Sequence, residues 1–388
     1  MRTFITLCAL ALSALGLSGC PASEDKATPK GADLSEETPK VEAPKPAQPR
    51  ALKARWIPAG NLPMALERPT ALELPNGEVF AYGHGEDARA ALWSPKTKTC
   101  RASAPSKRPR GEASASLLPD GSVLVTGGVH VPKGHYVLRS SERYDPANNR
   151  WSDAGNTGEQ RRGHSHVRLG KDALYIIGGV GGGFSAPTRS VHAYNPDKGT
   201  YSPAMELGVG RSFHASEALG ESAFIVVGGQ DKEGPLKSIE LCTKGKRRCR
   251  VIPRPLARDR SALAKMKGGE VLITGGIKRR GAGASEVIYD PGKNEFRPTG
   301  AMKSTRNDHT LTPLKDGRIL AIGGEKGALN SAEVYDPKAE AWASASAPNR
   351  GRHGHQALLL TSGDLLIIGG VDAQGKAVLE TELLQLKP

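Results

Sequence analysis

The stretch TRNDHTLTPLKDGRILAIGG, residues 305–324, contains the pattern that decides the fold. Asp316-Gly317 supplies the positive backbone angle that a tight hairpin turn needs, and an apolar run lies on either side of it. The second run ends in Gly323-Gly324. The stretch therefore predicts two antiparallel β-strands, the second of which ends at a glycine pair.

The same strand end recurs at a nearly constant interval. Gly-Gly pairs begin at residues 127, 178, 228, 275, 323 and 369, and a weaker Gly83-His84 precedes them. The interval is about 48 residues, which lies in the range of β-propeller blades. A Tyr-Asp-Pro-like turn follows most pairs, with an aromatic residue five positions after the proline. We expect these aromatic residues to pack against the neighbouring blade: Trp151, Tyr201, Phe296 and Trp342.

The glycine, Tyr-Asp-Pro and aromatic positions, repeated over residues 51–388, resemble the kelch-repeat family of β-propellers. The resemblance implies an all-β fold of four-stranded blades. The last repeat lacks its aromatic segment, but Arg55-Trp56 matches Arg150-Trp151. We therefore expect the N-terminal segment to supply the missing strand and to close a seven-bladed kelch-type ring. Six blades, with a divergent first repeat, is the alternative.

The first 50 residues differ from the repeats. Residues 1–19 combine Arg2 with an apolar run that is too short for a transmembrane helix, as in a secretion signal. The following Cys20 completes Leu-Ser-Gly-Cys, which resembles the lipobox of bacterial lipoproteins and implies a lipid on Cys20; an ordinary secretion signal is the alternative. Residues 20–50 are rich in Pro, Lys and Glu and predict a flexible tether. Because Pro21 follows the cysteine, the resemblance implies an outer-membrane anchor in the bacterial cell envelope, facing the periplasm or the surface.

The formal net charge is +14, and residues 51–388 carry it because Arg2 and the tether cancel. A basic secreted domain favours anionic partners, with evenly solvated charge as the alternative. A dense basic run lies at Lys244–Arg250, and no aromatic residues alternate with it, so we do not expect nucleic acid binding. We expect a monomer that binds protein or anionic polysaccharide and meets the membrane through its lipid anchor only.

The chain has five cysteines, of which Cys8 lies in the predicted signal. Cys242 and Cys249 occupy the Tyr and aromatic positions of one repeat, on adjacent antiparallel strands. We expect them to form a disulfide in an oxidising compartment. Cys100 has no evident partner and is expected to be buried filler.

An Arg-x-x-His pattern precedes four of the glycine pairs at a fixed distance: Arg161/His164, Arg211/His214, Arg306/His309 and Arg352/His355. Equivalent positions on successive blades form a ring, so these eight residues are binding candidates at one mouth of the central channel. We favour a structural role in which the arginine binds carbonyls of the neighbouring blade's loops and a neutral histidine donates to a backbone carbonyl. A transition-metal site is the alternative, with the four histidines as ligands and with His166, His353 and Asp308 nearby.

The Arg-x-x-His pattern also resembles a copper-ligand segment of galactose oxidase-like enzymes, which have a kelch-type propeller. Those enzymes need a tyrosine before the histidine and a Tyr–Cys crosslink, whereas this chain has Gly163, Phe213, Asp308 and Gly354 there. We therefore expect no cofactor and no catalytic residue. The predicted function is an envelope-anchored binding platform. The alternative is a carbohydrate-active enzyme, an epimerase or oxidase, with Arg and His at the channel mouth.

Overall fold

The computed structural model describes residues 48–84, 89–130, 136–171, 173–183, 185–253, 258–278, 286–324 and 329–386. The predicted signal, Cys20 and nearly all of the predicted tether lie outside these ranges. The described residues form strands and turns, and among them no helix is long and apolar enough to cross a membrane.

The strands of the described ranges are numbered in chain order. The first half contains β1 (Ala54–Asn61), β2 (Glu67–Glu73), β3 (Val79–His84), β4 (Arg89–Ser94), β5 (Thr99–Pro105), β6 (Ser114–Leu117), β7 (Val123–Thr126), β8 (Val129–His130), β9 (Tyr136–Val137), β10 (Ser140–Asp145), β11 (Arg150–Asn156), β12 (Ser165–Leu169), β13 (Ala173–Ile177), β14 (Ser190–Asn195), β15 (Thr200–Glu206), β16 (Ala215–Ala218) and β17 (Ala223–Val227). The second half contains β18 (Gln230–Asp231), β19 (Gly234–Pro235), β20 (Ser238–Thr243), β21 (Arg250–Pro253), β22 (Arg258–Asp259), β23 (Ala262–Lys265), β24 (Val271–Thr274), β25 (Ile277–Lys278), β26 (Val287–Asp290), β27 (Glu295–Pro298), β28 (Thr310–Pro313), β29 (Ile319–Ile322), β30 (Ala332–Asp336), β31 (Ala341–Ala345), β32 (Gln356–Leu359), β33 (Leu365–Ile368) and β34 (Glu380–Leu386).

Seven four-stranded antiparallel sheets form the blades, each counted from its innermost strand outward. Blade 1 is β2-β3-β4-β5, blade 2 is β6-β7-β10-β11, blade 3 is β12-β13-β14-β15, blade 4 is β16-β17-β20-β21, blade 5 is β23-β24-β26-β27, blade 6 is β28-β29-β30-β31 and blade 7 is β32-β33-β34-β1. The innermost strand of each blade contacts that of the next, all the way around the ring. The prediction of a seven-bladed propeller is confirmed.

The N-terminal strand closes the ring. β1 pairs antiparallel with β34, with Trp56 opposite Leu384, and so becomes the outermost strand of blade 7. The segment before β1 is also fixed, because the Arg50 guanidinium lies 2.6 Å from the Asp336 carboxylate of blade 6. Closure by an N-terminal strand is therefore confirmed. It leaves blade 7 with four strands and removes an open sheet edge.

The hydrophobic core is divided among the blade interfaces, with a buried cluster at each and a second one, around Leu66 and Ile368, between blades 7 and 1. The outer-strand aromatic residues extend these clusters, as predicted. The indole of Trp151 in blade 2 donates to the Ala104 carbonyl of blade 1 at 2.8 Å, and Trp342 donates to Gly300 of the preceding blade at 2.9 Å. Each indole thus joins two blades, and the propeller is held together mainly by sheet-against-sheet burial.

The disulfide between Cys242 and Cys249 is present, as predicted. It joins β20 to the start of β21 in blade 4. Cys100 is a free, half-buried thiol, and burial raises its pKa to about 11. A thiol with such a high pKa is a poor nucleophile at neutral pH, so Cys100 fills space.

The antiparallel order gives the disk two distinct faces. We call the lower face the one that carries the turns between the first and second, and between the third and fourth, strands of each blade. The upper face is the opposite one, and it carries the Arg-x-x-His segments and the Gly-Gly pairs. The channel mouth discussed below opens on the upper face.

Candidate functional site

Six blades carry an arginine at the same position before the innermost strand: Arg110, Arg161, Arg211, Arg258, Arg306 and Arg352. Their side chains are at most 2% exposed. Each donates from Nη1 to the carbonyl of the first glycine in its own blade's Gly-Gly pair, at 2.7 to 3.3 Å. These guanidinium groups lie inside the blades, so they do not line the channel mouth.

A buried glutamate completes the arginine contact in four of these blades: the pairs are Arg110–Glu142 at 2.8 Å, Arg211–Glu240 at 2.5 Å, Arg306–Glu333 at 2.9 Å and Arg352–Glu382 at 2.7 Å. The glutamates also accept backbone N–H groups from the segment that leads into the blade, as Glu333 does from Lys303 and Ser304. Each ion pair therefore fixes a connection between blades.

The expected partner of the arginines was wrong in one respect. We predicted that they bind the neighbouring blade, whereas the guanidinium binds its own blade. The backbone carbonyl of the same residue makes the link to the neighbour. The Arg306 carbonyl accepts from Gly276 of blade 5 at 2.8 Å, and the Arg352 carbonyl accepts from Gly324 of blade 6 at 3.1 Å. Side chain and backbone thus hold two different blades.

The four histidines also hold blades together. In each, Nε2 lies within hydrogen-bond distance of a hydroxyl oxygen of the preceding blade: His164 pairs with Thr126 at 2.6 Å, His214 with Ser165 at 2.8 Å, His309 with Thr274 at 2.8 Å and His355 with Thr310 at 3.1 Å. The predicted bond to a backbone carbonyl is therefore replaced by one to a hydroxyl. Burial lowers the pKa of His214 and of His309 to about 3, so the rings are neutral at physiological pH.

The first glycine of each pair leaves room for the start of the next blade. A Cβ there would come closest to a backbone carbonyl of the next blade, and Gly228, which faces the Arg258 carbonyl, shows the same crowding without a histidine. A Cβ added to Gly127, Gly178 or Gly323 would also stand 2.9 to 3.0 Å from the Cε1 atom of the next blade's histidine. The glycine therefore makes room for the carbonyl and the imidazole, and its positive φ adds a second reason. Arg-x-x-His and Gly-Gly are two halves of one joint between blades.

The structure places the four histidines around one cavity but does not form a metal site from them. Within the described ranges, no group of three His, Cys, Asp or Glu side chains is placed to hold a metal ion. His166 shares the Thr126 hydroxyl with His164, at 2.7 Å, and its Nδ1 lies 2.9 Å from the Ser116 hydroxyl. The Nε2 atoms of these imidazoles are therefore engaged by protein hydroxyls.

A different ring of side chains surrounds the channel mouth. It consists of the residue two positions after each register arginine, or after Leu66 in blade 1: Arg68, Glu112, Gly163, Phe213, Arg260, Asp308 and Gly354. All seven have a positive φ, between 45° and 59°. We call these residues the mouth ring. They line a cavity of about 280 Å³, together with the edges of the four histidines.

Five of the seven mouth-ring residues are not glycine, although each has left-handed backbone. Such a conformation costs about 1–3 kcal/mol for a non-glycine residue. Blades 3 and 7 have glycine at this position, Gly163 and Gly354, so the turn also forms with the residue that adopts left-handed backbone at the lowest conformational cost. Retained side chains at strained positions, all facing one cavity, are typical of a binding site.

Backbone hydrogen bonds link mouth-ring residues of adjacent blades. Phe213 donates its N–H to Gly163 at 2.7 Å, and Gly354 donates to Asp308 at 2.9 Å. Longer bonds of 3.3 Å run from Gly163 to Glu112 and from Asp308 to Arg260. The mouth ring is therefore rigid, since these backbone bonds fix its residues to the blades on both sides.

Two arginines converge on Asp308. Arg68 of blade 1 reaches across Gly354 of blade 7 and places its guanidinium 2.8 Å from the Asp308 carboxylate. Arg260 of blade 5 contacts the same oxygen at 3.0 Å. The Asp308 side chain is 10% exposed, whereas the two guanidinium groups are 33% and 27% exposed. One carboxylate thus lies between two cations that remain open to the mouth.

An aromatic ring occupies the other side of the mouth. Phe213 lies over Gly163, whose hydrogen is the only substituent that fits there, since a Cβ would stand 2.9 Å from the ring. The guanidinium groups of Arg162 and Arg260 lie 5.8 and 5.9 Å from its centroid. Arg162 also pairs with Glu112 at 2.8 Å. The mouth therefore offers three guanidinium groups around one apolar surface.

Several polar atoms at the mouth are buried without a hydrogen-bond partner in the described structure. They are Ser261 Oγ and the Nδ1 atoms of His164, His214, His309 and His355. Burial also raises the pKa of Asp259 to about 6. Unpaired buried polar groups are costly, which favours water or a polar ligand in this region.

The sequence pattern led to the right segment but to the wrong side chains. Arg161, Arg211, Arg306 and Arg352 are internal ties, and the histidines show only an edge to the cavity. The groups that surround the mouth are the residue before each histidine position, together with Arg162. A signal for them existed, because Arg68, Phe213, Arg260 and Asp308 occupy one register in which two other repeats have glycine.

Comparisons with known proteins agree with this architecture. The Kelch motif family model matches residues 161–208 and 314–349. Kelch-like protein 23 of Mus musculus is 35% identical over 83 residues, which is 21% of this chain and 14% of the mouse protein, so the match spans a small part of that relative.

Two solved structures share the fold. A structure described as a novel fungal alcohol oxidase of the AA5 family in complex with copper has a TM-score of 0.66 at 15% identity, covering 87% of this chain and 77% of the oxidase. The structure of YjhT has a TM-score of 0.56 at 15% identity, covering 83% of this chain and 95% of YjhT. At this identity the likeness concerns the fold alone. The chain is therefore a seven-bladed β-propeller in which residues 161–208 and 314–349 match the Kelch motif.

Proposed function

We propose that this propeller is a binding module of the bacterial cell envelope and that its channel mouth receives an acidic sugar residue of a glycan. The observation that carries the proposal is the convergence of Arg68 and Arg260 on the carboxylate of Asp308. Two guanidinium groups that hold one carboxylate at a cavity are also able to hold a ligand carboxylate there.

The other walls suit the same ligand. Phe213 supplies an apolar surface on which the C–H face of a sugar ring can rest, and the unpaired Ser261 hydroxyl suits a hydroxyl group of the ligand. The cavity of about 280 Å³ is at the small end for ligand sites, which fits one sugar unit better than a bulky ligand. Fold does not fix function, so the proposal rests on these side chains.

A binding role is favoured over catalysis by the state of the ionisable groups. The four histidines are neutral and bound to hydroxyls, and Asp308 is held between two cations. Asp259, next to the mouth-ring residue Arg260, has a pKa raised by burial to about 6, but it is 4% exposed and does not line the cavity. A catalytic acid or base must reach the substrate.

Titration calorimetry with glucuronic acid, and with glucose as the neutral counterpart, tests the mouth site. Arg68→Gln or Arg260→Gln should weaken binding of glucuronic acid about 10- to 100-fold, the value of one charge-assisted hydrogen bond. Asp308→Asn should tighten it, because the internal carboxylate no longer competes for the two arginines. Arg101→Gln, which removes an exposed ion pair with Glu78 on the outer rim, is the matched control and should change nothing.

The proposal fails if glucuronic acid does not bind, or if the mouth variants and the Arg101 variant behave alike. Equal binding of glucose would also contradict it, since the guanidinium groups would then have no part. Turnover of the sugar would replace binding by catalysis as the function.

The envelope location rests on the lipobox resemblance at Cys20 and on the disulfide, which is typical of an oxidising compartment. Metabolic labelling with palmitate should mark the wild-type chain and leave Cys20→Ser unmarked. The Cys20→Ser chain should move from the membrane fraction to the soluble fraction of the envelope. Unchanged labelling or fractionation would remove the anchor from the proposal.

A further inference from the structure

Blade 4 departs from the repeat at one turn of the lower face. In blades 2, 3, 5 and 6 the turn between the third and fourth strands begins with a side-chain cap: the oxygen of Asp145, Asn195, Asp290 or Asp336 accepts the N–H two residues on, at 2.9 to 3.1 Å. Blade 4 has Thr243 at this position, followed by Lys244-Gly-Lys-Arg-Arg248. The turn has the same length but has lost its capping oxygen.

The disulfide of blade 4 joins the strand ends on either side of this uncapped turn. In the four other blades two aromatic rings face each other across the turn, as Tyr335 and Trp342 do with centroids 5.1 Å apart. In blade 4 these two positions are Cys242 and Cys249, with Cα atoms 4.3 Å apart. A covalent link holds the strand ends without help from the residues between them. Those residues are therefore free to vary.

The turn is fixed to its surroundings by backbone alone. Glu206 of blade 3 donates its N–H to the Arg247 carbonyl at 2.9 Å and accepts from Cys249 at 2.8 Å, while Lys244 donates to Ser222 at 2.7 Å. The side chains of the turn take no part in these bonds. We call Cys242–Arg250 the cationic hairpin.

The basic side chains between the two cysteines are open to solvent, whereas the Arg250 guanidinium donates to Asn294 of blade 5 at 2.8 Å. Lys244, Lys246, Arg247 and Arg248 are exposed, and none forms an ion pair within the described part of the chain. Lys293 in the equivalent turn of blade 5 behaves differently, since it lies 3.6 Å from the capping Asp290 of its own turn. Four like charges without a counter-ion repel one another, and an external anionic surface would relieve that repulsion.

The hairpin shares its face with the point where the chain enters the propeller. Arg50 pairs with Asp336, the capping residue of the equivalent turn in blade 6. A chain held to a membrane through residues before Arg50 is therefore attached on the face that carries the cationic hairpin. The hairpin has no aromatic residue to stack on bases, which disfavours a nucleic acid as its partner.

We propose that the cationic hairpin docks on the anionic headgroups of a lipid bilayer and sets the lower face against the membrane. The upper face, with the mouth ring, then points away from the bilayer. The proposal uses no residue of the mouth site. Only the nearness of a bilayer rests on the lipid anchor proposed at Cys20.

The test is sedimentation of the full-length Cys20→Ser chain with vesicles, so that no covalent lipid masks the contribution of the hairpin. One set of vesicles is phosphatidylcholine, and the other contains one-third phosphatidylglycerol. The chain should bind the anionic vesicles and not the neutral ones. Each basic residue near an anionic surface strengthens binding about fivefold, so Lys246→Gln/Arg247→Gln should lower the partition coefficient about 25-fold.

Lys198→Gln/Lys293→Gln is the matched control, because both lysines occupy the position of Lys246 in the turns of blades 3 and 5 and are exposed. This pair removes the same charge from the same face and should change binding less than threefold. Equal losses in the two double variants would overturn the proposal in favour of unspecific attraction to a basic protein. Absence of binding to the anionic vesicles would overturn it outright. So would a chain that does not bind the vesicles but binds a sulfated polysaccharide, with the binding weakened by Lys246→Gln/Arg247→Gln.

Discussion

The imidazole of His309 lies over Gly275, so that a Cβ on that glycine would stand 2.5 Å from the ring Cε1 atom. The two residues belong to successive blades, and the same contact recurs between the other histidines and the glycine pairs before them. A motif that suggests a metal site is in this protein a steric joint. The contribution of this contact to the free energy of unfolding can be measured with single substitutions.

Gly275→Ala should destabilise the protein by about 2–4 kcal/mol, because the methyl group meets the Arg306 backbone carbonyl and the His309 ring and because φ is 59° there. Gly268→Ala in the same blade is the control, since its Cβ would meet nothing within 4 Å and its φ is not positive. It should stay within about 0.5 kcal/mol of the wild type. Urea denaturation gives both values, and equal effects would disprove the joint.

Arg306→Met should cost about 3–5 kcal/mol, since it strands the buried carboxylate of Glu333. The double variant Arg306→Met/Glu333→Gln should cost less than Arg306→Met alone, because no unpaired charge remains. Arg101→Met, at an ion pair whose arginine is 52% exposed, should cost no more than about 1 kcal/mol. A double variant as unstable as the sum of its singles would show that the ion pair is not the tie we describe.

Stability should fall when the pH drops below about 6.5. The unfolded histidines take up protons there, whereas burial lowers the pKa of folded His309 to about 3. The histidine contribution is therefore complete above pH 6.5 and is lost progressively toward pH 3. In His309→Gln, with no titrating ring at this position, unfolding free energies measured between pH 4 and 7 should show a shallower slope. An unchanged slope would mean that this imidazole is not held neutral.

The carboxyl of Asp259 should make the stability of the protein depend on pH in the opposite direction. Burial raises its folded pKa to about 6, so the folded state keeps a proton that the unfolded state has lost, and stability declines as the pH rises from about 4 to about 6. Asp259→Asn removes this decline. The variant should gain stability relative to the wild type across that window and hold the gain above pH 6. Thermal melts at pH 4, 5, 6 and 7 measure the difference, and a constant difference would contradict the shifted pKa.

The sequence allowed most of the fold to be predicted, because its repeats mark both ends of each blade. The Gly-Gly interval predicts seven units, and the match between Arg55-Trp56 and Arg150-Trp151 predicts closure by β1. The disulfide followed from the equivalence of Cys242 and Cys249 to an aromatic pair. Periodic patterns carry this information because each repeat solves the same packing problem.

The candidate site could not be predicted to the same depth. A register shows which residues are equivalent, but not which of two adjacent side chains faces inward. The left-handed backbone at Arg68, Phe213 and Asp308 turns the residue before the histidine position into the mouth and buries the arginine two residues earlier. The reach of Arg68 across Gly354 to Asp308 joins blades far apart in sequence, which no local pattern reveals.

The pairing of β1 with β34 has a mechanical consequence. β1 is the strand nearest to the N-terminus, so a pull on that end is applied to the seam of the ring and not to a complete blade. The bonds from Arg50 to Asp336 and from Arg318 to the Arg50 and Ala51 carbonyls lie ahead of β1 and would bear tension first. Beyond their breaking point, blade 7 would lose its outer strand while the other six kept theirs. Under a force on its N-terminal end, the propeller should therefore open first at the β1–β34 pairing.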